Sequence, residues 1–402
     1  MRSSHRVLLA LPLAWCVSLA DAQESAVDDV APLVADLDAK GREPVDFVLE
    51  RLKAADLLLF DDGLHSAVEP FAFYVELVHN AEFRRLAPVI FLETVAINQQ
   101  PSIDGFLASG DPATLLPAFR NDVSGTGGIG YRTYLDLLSA IREVNLAEPK
   151  QRLRVVAVSN PVYWSAITSA RDVELFQRSL AGRDFDMYRL ILDELDGFRS
   201  GKKGVFLTNT RHAYTGVHAR DGSFFWNTGT CFRQWHPGKT CSIRLHDVML
   251  AIERAASDPK TPRTAQGLEQ VSYHWARVDG GRWDRAFASI GNVPIAVPLA
   301  GTSFGRAPYL GNHMLEAAPG QTMADAYDAV IFLAPLEKLR QSAAMPGLYA
   351  RDFLPELARR YRLLHTDEEL RAELAQAEAK TVEELVAKTF VEWPESSVPA
   401  VE

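Results

Sequence analysis

Six short apolar runs recur along the chain, each closing on polar or small residues: ADLLLFDDG, APVIFLET, LRVVAVSNP, KGVFLTNTRH, a weaker GSFFWNTG, and late YDAVIFLAP. Continuous β-rich runs of this length suit strands covered on both faces. Between them the apolar positions fall at helical spacing over residues 67–85, 131–145, 172–198 and 245–256. Strands alternating with helices predict an α/β fold, a mostly parallel sheet flanked by helices. Residues 258–320, rich in Gly, Pro and Trp, read as a loop-rich cover of loops and short strands over that sheet. Residues 354–388 repeat Glu, Arg and Ala at helical spacing and predict a helical C-terminal tail.

The first residues change the domain picture. Arg2 and Arg6 bracket a basic segment, VLLALPLAWCVSLA is an apolar stretch short for a membrane span, and Ala20 and Ala22 put small residues where a signal peptidase reads. Cleavage is expected after Ala22, leaving no membrane anchor and a periplasmic or secreted protein. The organisation is then a signal peptide at 1–22, a lead-in at 23–45, one α/β domain at 46–345 and the tail at 346–402. A formal charge of −10 over 402 residues argues against nucleic acid, which rewards clustered Lys and Arg. Cys231 and Cys241 flank CFRQWHPGKTC, and in an oxidising compartment they are expected to pair as a disulfide.

In open parallel sheets ligands sit beyond the carboxyl ends of the strands. Those ends carry Asp61, Asp62 and His65 on the first run, Glu93 on the second, Ser159 and Asn160 on the third, and Asn209, Arg211 and His212 on the fourth. A histidine beside a carboxylate makes a general base toward water, and an opposing cation can hold a carbonyl oxygen. A buried structural network is the competing reading. His65, Glu93 and His212 would also make a two-histidine, one-carboxylate metal set, without any local metal-binding spacing. His313, in LGNHML, is a weaker candidate. Two motifs are set aside: SGTGGIG follows no apolar strand, and GTSFG around Ser303 lacks the helix a nucleophile elbow needs.

The order of these residues resembles the erythromycin esterase-like superfamily, which also takes in the Tiki proteases and the ChaN-type haem-uptake proteins. DDGLHSAVE is similar to that family's G-E-x-x-H segment, with Asp62 on its Glu, His65 on its histidine and Glu69 on a later Glu. Glu93 in VIFLET, Arg142 and Asn145 before the third run, FLTNTRHAY, and Tyr327 and Asp328 in YDAVIFL follow in the family's order. The chain departs from the pattern at Asp61, at the shorter Asp62, and where Thr208 or Asn209 replaces a first histidine. The resemblance implies an exported, metal-independent hydrolase acting on an ester-like small-molecule substrate. His65 would be the base, with Asp62, Glu69 and Glu93 as carboxylate partners, and Arg211 and His212 would polarise the carbonyl. Asn209, Asn160 and His313 would line the substrate. The alternatives are a ChaN-like protein holding haem or a divalent metal, and a member of the fold without chemistry.

Overall fold

Alternate residues of the first apolar run find cover on opposite sides, which is what makes the run a central strand. In β1 (Leu57–Asp61) every residue is buried. Leu58 and Phe60 enter one core with Ile90, Leu92, Val205 and Leu207. Leu57 and Leu59 enter another with Val89, Phe91 and Phe206. Each such side chain contributes about 1.5–3 kcal/mol by leaving water. The structure, a computed structural model, describes residues 19–125, 129–219, 221–254, 271–311, 317–391 and 393–398.

The main sheet has seven strands: β1, β2 (Val89–Ala96), β3 (Arg154–Ser159), β4 (Gly204–Thr208), β5 (Thr240–Leu245), β6 (Ile295–Pro298) and β7 (Ala329–Phe332). Their spatial order is β3-β2-β4-β1-β5-β7-β6. All pairings are parallel except that of β6 with β7. β1 is central, with Asp61 opposite Thr208 on one side and Arg244 on the other. Gly204 starts β4 because a Cβ there would stand 2.7 Å from the Phe91 ring. The α/β fold and the helical tail, with helices at Leu354–Leu364, Asp367–Gln376 and Val382–Phe390, match the sequence pattern.

Four expectations are corrected. GSFFWNTG is no strand: Phe224 makes a single bridge with His218, and Asn227 caps the helix Thr228–Trp235 by accepting from Thr230 N at 2.8 Å. Residues 245–254 are not helical, because Met249–Arg254 pairs antiparallel with Val271–Ala276; residues 255 and 256 of that expectation lie outside the described residues. The pattern over 172–198 splits into Ala170–Ser179 and Arg183–Glu194. The expected disulfide is absent: Cys231 and Cys241 are free, buried thiols. Cys241 shares a sheet face with Leu58, its register partner, whereas Cys231 packs on the other face with Leu57 and Leu59. The sheet itself keeps the two sulfurs apart. Burial pushes both thiols up, Cys231 to about 12.

The expected leader falls largely on residues 1–18, outside the described residues. The helix Leu19–Lys40 runs on through the expected cleavage position. Among the described residues no helix is long and apolar enough to cross a membrane.

Candidate active site

The chain leaves β1 through a tight turn that aims a histidine back over the sheet edge. Asp62 N still donates to Thr208 O at 3.0 Å, and Leu64 N then closes on Asp62 O at 2.7 Å. Gly63 takes φ +64°, a left-handed conformation that costs a glycine little, and its N–H donates to Asp61 Oδ1 at 2.9 Å. His65 follows with its imidazole 12% exposed, its Nδ1 3.2 Å from Asp62 Oδ2.

A kink in β2 delivers the second carboxylate. Leu92 pairs with Ala157 and Ala96 with Ser159, so Glu93, Thr94 and Val95 span the step that Val158 alone spans. Such bulges re-aim side chains at sheet ends. Glu93 Oε2 lies 2.7 Å from His65 Nε2, although it makes no aligned hydrogen bond. The Asn209 amide nitrogen approaches the same Nε2 at 3.0 Å. Asn209 is also an N-cap, its Oδ1 accepting from Arg211 N at 3.0 Å, so the amide cannot flip without losing that bond.

His65 is therefore pulled two ways. Burial disfavours its charge, but the Asp62 and Glu93 carboxylates outweigh burial and raise it to about 10. Asn209 presents a donor to Nε2 and so fits only the neutral ring. Asp62 itself is raised to about 6 by burial, against the opposing pull of His65. Burial would raise Glu93 too, yet Arg183 and then His65 hold it well below the usual carboxylate range.

A second acid–histidine pair stands behind the first. Arg183 and Asp184 open the helix Arg183–Glu194. The Arg183 guanidinium donates to Glu93 Oε1, to Glu93 O at 3.0 Å, to Ser159 Oγ at 3.1 Å and to His212 Nε2 at 2.9 Å. A guanidinium only donates, so His212 Nε2 accepts, and its proton sits on Nδ1, 2.7 Å from Asp184 Oδ1. Thr228 N and Oγ1 also donate to that oxygen, at 2.8 and 2.9 Å. His212 lowers Asp184 despite burial.

Asp61 plays a different part from Asp62. Fully buried, it accepts from Tyr327 Oη at 2.6 Å, Thr210 Oγ1 at 2.9 Å and Arg244 Nη1 at 3.2 Å. It ties β1 to β5 and to Tyr327, two residues before β7, and has no atom left for chemistry. Beside this cluster opens a cavity of about 280 Å³, lined by His65, Ser66, Tyr131, Asn209, Arg211 and Arg244 among others.

The structure thus brings Asp62, His65, Glu93, Asn209, Arg211 and His212 to one sheet edge. Of these His65, Asn209 and Arg211 reach the cavity, while His212 is 2% exposed and lies behind Arg183. Glu69 is not brought in: its carboxylate pairs with Arg340 Nε at 3.0 Å and caps Arg340 N at 2.9 Å. Asn160 pairs with Asp186 at 3.1 Å and does not line the cavity. His313 lies outside the described residues. Ser303 is held in a turn by Asp36, which accepts from its N–H, and by Arg306, which donates to its Oγ; among the described residues no histidine bonds to it. Asn145 is structural, bonding both Leu153 N and Leu153 O. Trp275 lines the cavity, whereas Trp283 is core and Trp226 and Trp235 stack on the outer surface. Arg183, Asp184 and Arg244 went unread, the first two because no strand end announces a helix start in a polar stretch.

The same geometry tests the metal alternative. Arg183 already occupies His212 Nε2 and Glu93 Oε1, the atoms a metal would need. His65 faces Asp62 at Nδ1 and the Asn209 amide at Nε2, so His65, Glu93 and His212 are not arranged around one open point. Among the described residues no three ligating side chains are grouped to hold a metal. As arranged here, His65, Glu93 and His212 do not fit a metal ion.

No family model matches the chain, and no curated protein matches it. Among solved structures it is similar to a mutant of the erythromycin esterase EreC in its open conformation. The match has 11% identity over 80% of this chain and 98% of that one, with TM-score 0.48. It is also similar to a Bacillus cereus protein, at 12% identity over 76% and 97% of the two chains, with TM-score 0.45. A succinoglycan biosynthesis protein matches at 7% identity over 77% and 97%, with TM-score 0.47. At such scores these likenesses assign neither a substrate nor a catalytic residue to this chain.

Proposed function

We propose that the cavity hydrolyses an ester, with His65 as general base on water. The observation that carries this reading is the His65 ring, bounded by Asp62 at Nδ1, Glu93 and Asn209 at Nε2, and open to the cavity. Asp62 fixes the proton on Nδ1, leaving the Nε2 lone pair for a proton. The attacking water takes the place at Nε2 that the Asn209 amide holds here. As its oxygen bonds to the carbonyl carbon, its proton passes to Nε2, and Glu93 stabilises the imidazolium formed. Asn209 has then lost its acceptor, and its N–H turns to the oxygen on which negative charge develops. The tetrahedral adduct collapses by breaking the bond to the leaving oxygen, which takes the proton from His65. Arg183, held by Ser159 and His212, keeps Glu93 ionised throughout.

Export belongs to the same proposal and rests on residues 1–22 alone; N-terminal sequencing of protein recovered outside the cytoplasm tests it. The reaction is tested by incubating purified protein with a panel of small carboxylic esters and lactones and measuring acid release. Release above the buffer blank for one ester class is the expected result. A panel untouched from pH 6 to about 10, the range that covers His65, contradicts the reading.

A further inference from the structure

The cavity wall differs in charge from the rest of the molecule. The chain carries a formal charge of −10, yet among the described residues the wall holds Arg211, Arg244 and His65 and no carboxylate. The acids of the site stand behind it, each with at least one partner. Asp61 is consumed by Arg244, Tyr327 and Thr210, and Glu93 by Arg183 and His65. Asp247, 1% exposed, accepts from Val248 N through Oδ1, while its Oδ2 has no hydrogen-bond partner among the described residues.

Arg211 is the exception. Its guanidinium makes no hydrogen bond or ion pair among the described residues, though it is half-buried and faces the cavity. Burial and the neighbouring Arg183 both disfavour its charge. A cation kept unpaired at such a place gains most from a ligand that brings its own counter-charge. The remaining wall is apolar: Leu64, Ile129, Val248, Met249 and Trp275. In the hydrolase reading Asn209 serves the developing oxyanion, which leaves Arg211 free for a charge the ligand carries from the start.

We infer that the cavity selects an organic anion: an apolar body bearing one carboxylate or phosphate group, the oxyanion gripped by Arg211. This names the substrate class of the proposed hydrolase and rests on that reading for turnover, but binding is measured apart from it. The probes are phenylacetate, its neutral amide phenylacetamide, and phenyl phosphate, titrated into the full chain by calorimetry at low salt. Phenylacetate or phenyl phosphate is expected to bind at least about tenfold tighter than the amide, as a charge-assisted hydrogen bond warrants. That preference is lost in Arg211→Gln, partly kept in Arg211→Lys, and weakened by added salt. Whichever anion binds tighter identifies the group. Amide and acid binding equally, neither anion binding, or an anion preference untouched by Arg211→Gln each overturns the inference. Anion binding without hydrolysis of any ester leaves it standing and removes the hydrolase; hydrolysis indifferent to substrate charge does the reverse.

Discussion

His65 Nε2 lies 2.7 Å from Glu93 Oε2, in a pocket where Asp62 already faces the other ring nitrogen. Two carboxylates on one buried imidazole stabilise its charged form, so the base is protonated at neutral pH and works through its neutral fraction. The rate should therefore rise with pH from 7 toward about 10, the value to which His65 is raised. Glu93→Gln removes one of the two charges, lowers the His65 value and should move that rising limb to lower pH. The measurement is kcat/KM against pH for both proteins. A superimposable pair of profiles would mean that Glu93 does not act on His65. The same shift affects stability. His65 binds its proton more tightly folded than unfolded, so its contribution is full below the unfolded value of 6.5 and is lost as pH rises through about 10.

Asn209 should be sensitive to a change of one atom. Its Oδ1 is fixed by Arg211 N, so Nδ2 faces His65. Asn209→Asp substitutes an acceptor, favours the imidazolium and removes the oxyanion donor. Turnover at neutral pH should fall by roughly the 10²–10³ of a lost oxyanion-hole donor. Wild-type turnover in this variant would take Asn209 out of the mechanism.

The Asp61–Arg244 pair should govern stability rather than rate. Both groups are at most 2% exposed and sit opposite each other on β1 and β5. Arg244→Met leaves a buried carboxylate without its cation, at a cost of about 3–5 kcal/mol. Chemical denaturation would show it, and adding Asp61→Asn should recover part of the loss. An unchanged midpoint for the single variant would count against this structural role.

The two thiols should behave as core groups. A thiol reagent is expected to label neither Cys231 nor Cys241 in the native protein, and both after unfolding. Intact mass should be the same with and without reductant; a two-dalton gain on reduction would restore the disulfide.

The apolar runs made β1 to β4 and β7 legible, because strands covered on both faces need unbroken apolar stretches. β5 was hidden because Ser242 and Arg244 interrupt it. Their partners, Ala213 O at 2.6 Å and Asp61, come from distant parts of the chain. Met249–Arg254 misled the helical pattern because backbone pairing with Val271–Ala276 overrides spacing. At the site, His65, Glu93 and Asn209 were readable as strand-end polar groups. Glu69 was not distinguishable from them, since a carboxylate four residues beyond a histidine faces inward or outward according to where Arg340 lies. Arg183 and Asp184 carry no local signature; only the packing of their helix against β3 brings them to Glu93 and His212.

The most direct measurement is kcat/KM of wild type and His65→Ala on the ester that the panel identifies, at one alkaline pH, with folding checked by circular dichroism. Loss of the general base should reduce the rate by about 10²–10⁴ in a folded protein. A folded His65→Ala protein that turns over the ester at the wild-type rate would contradict the account.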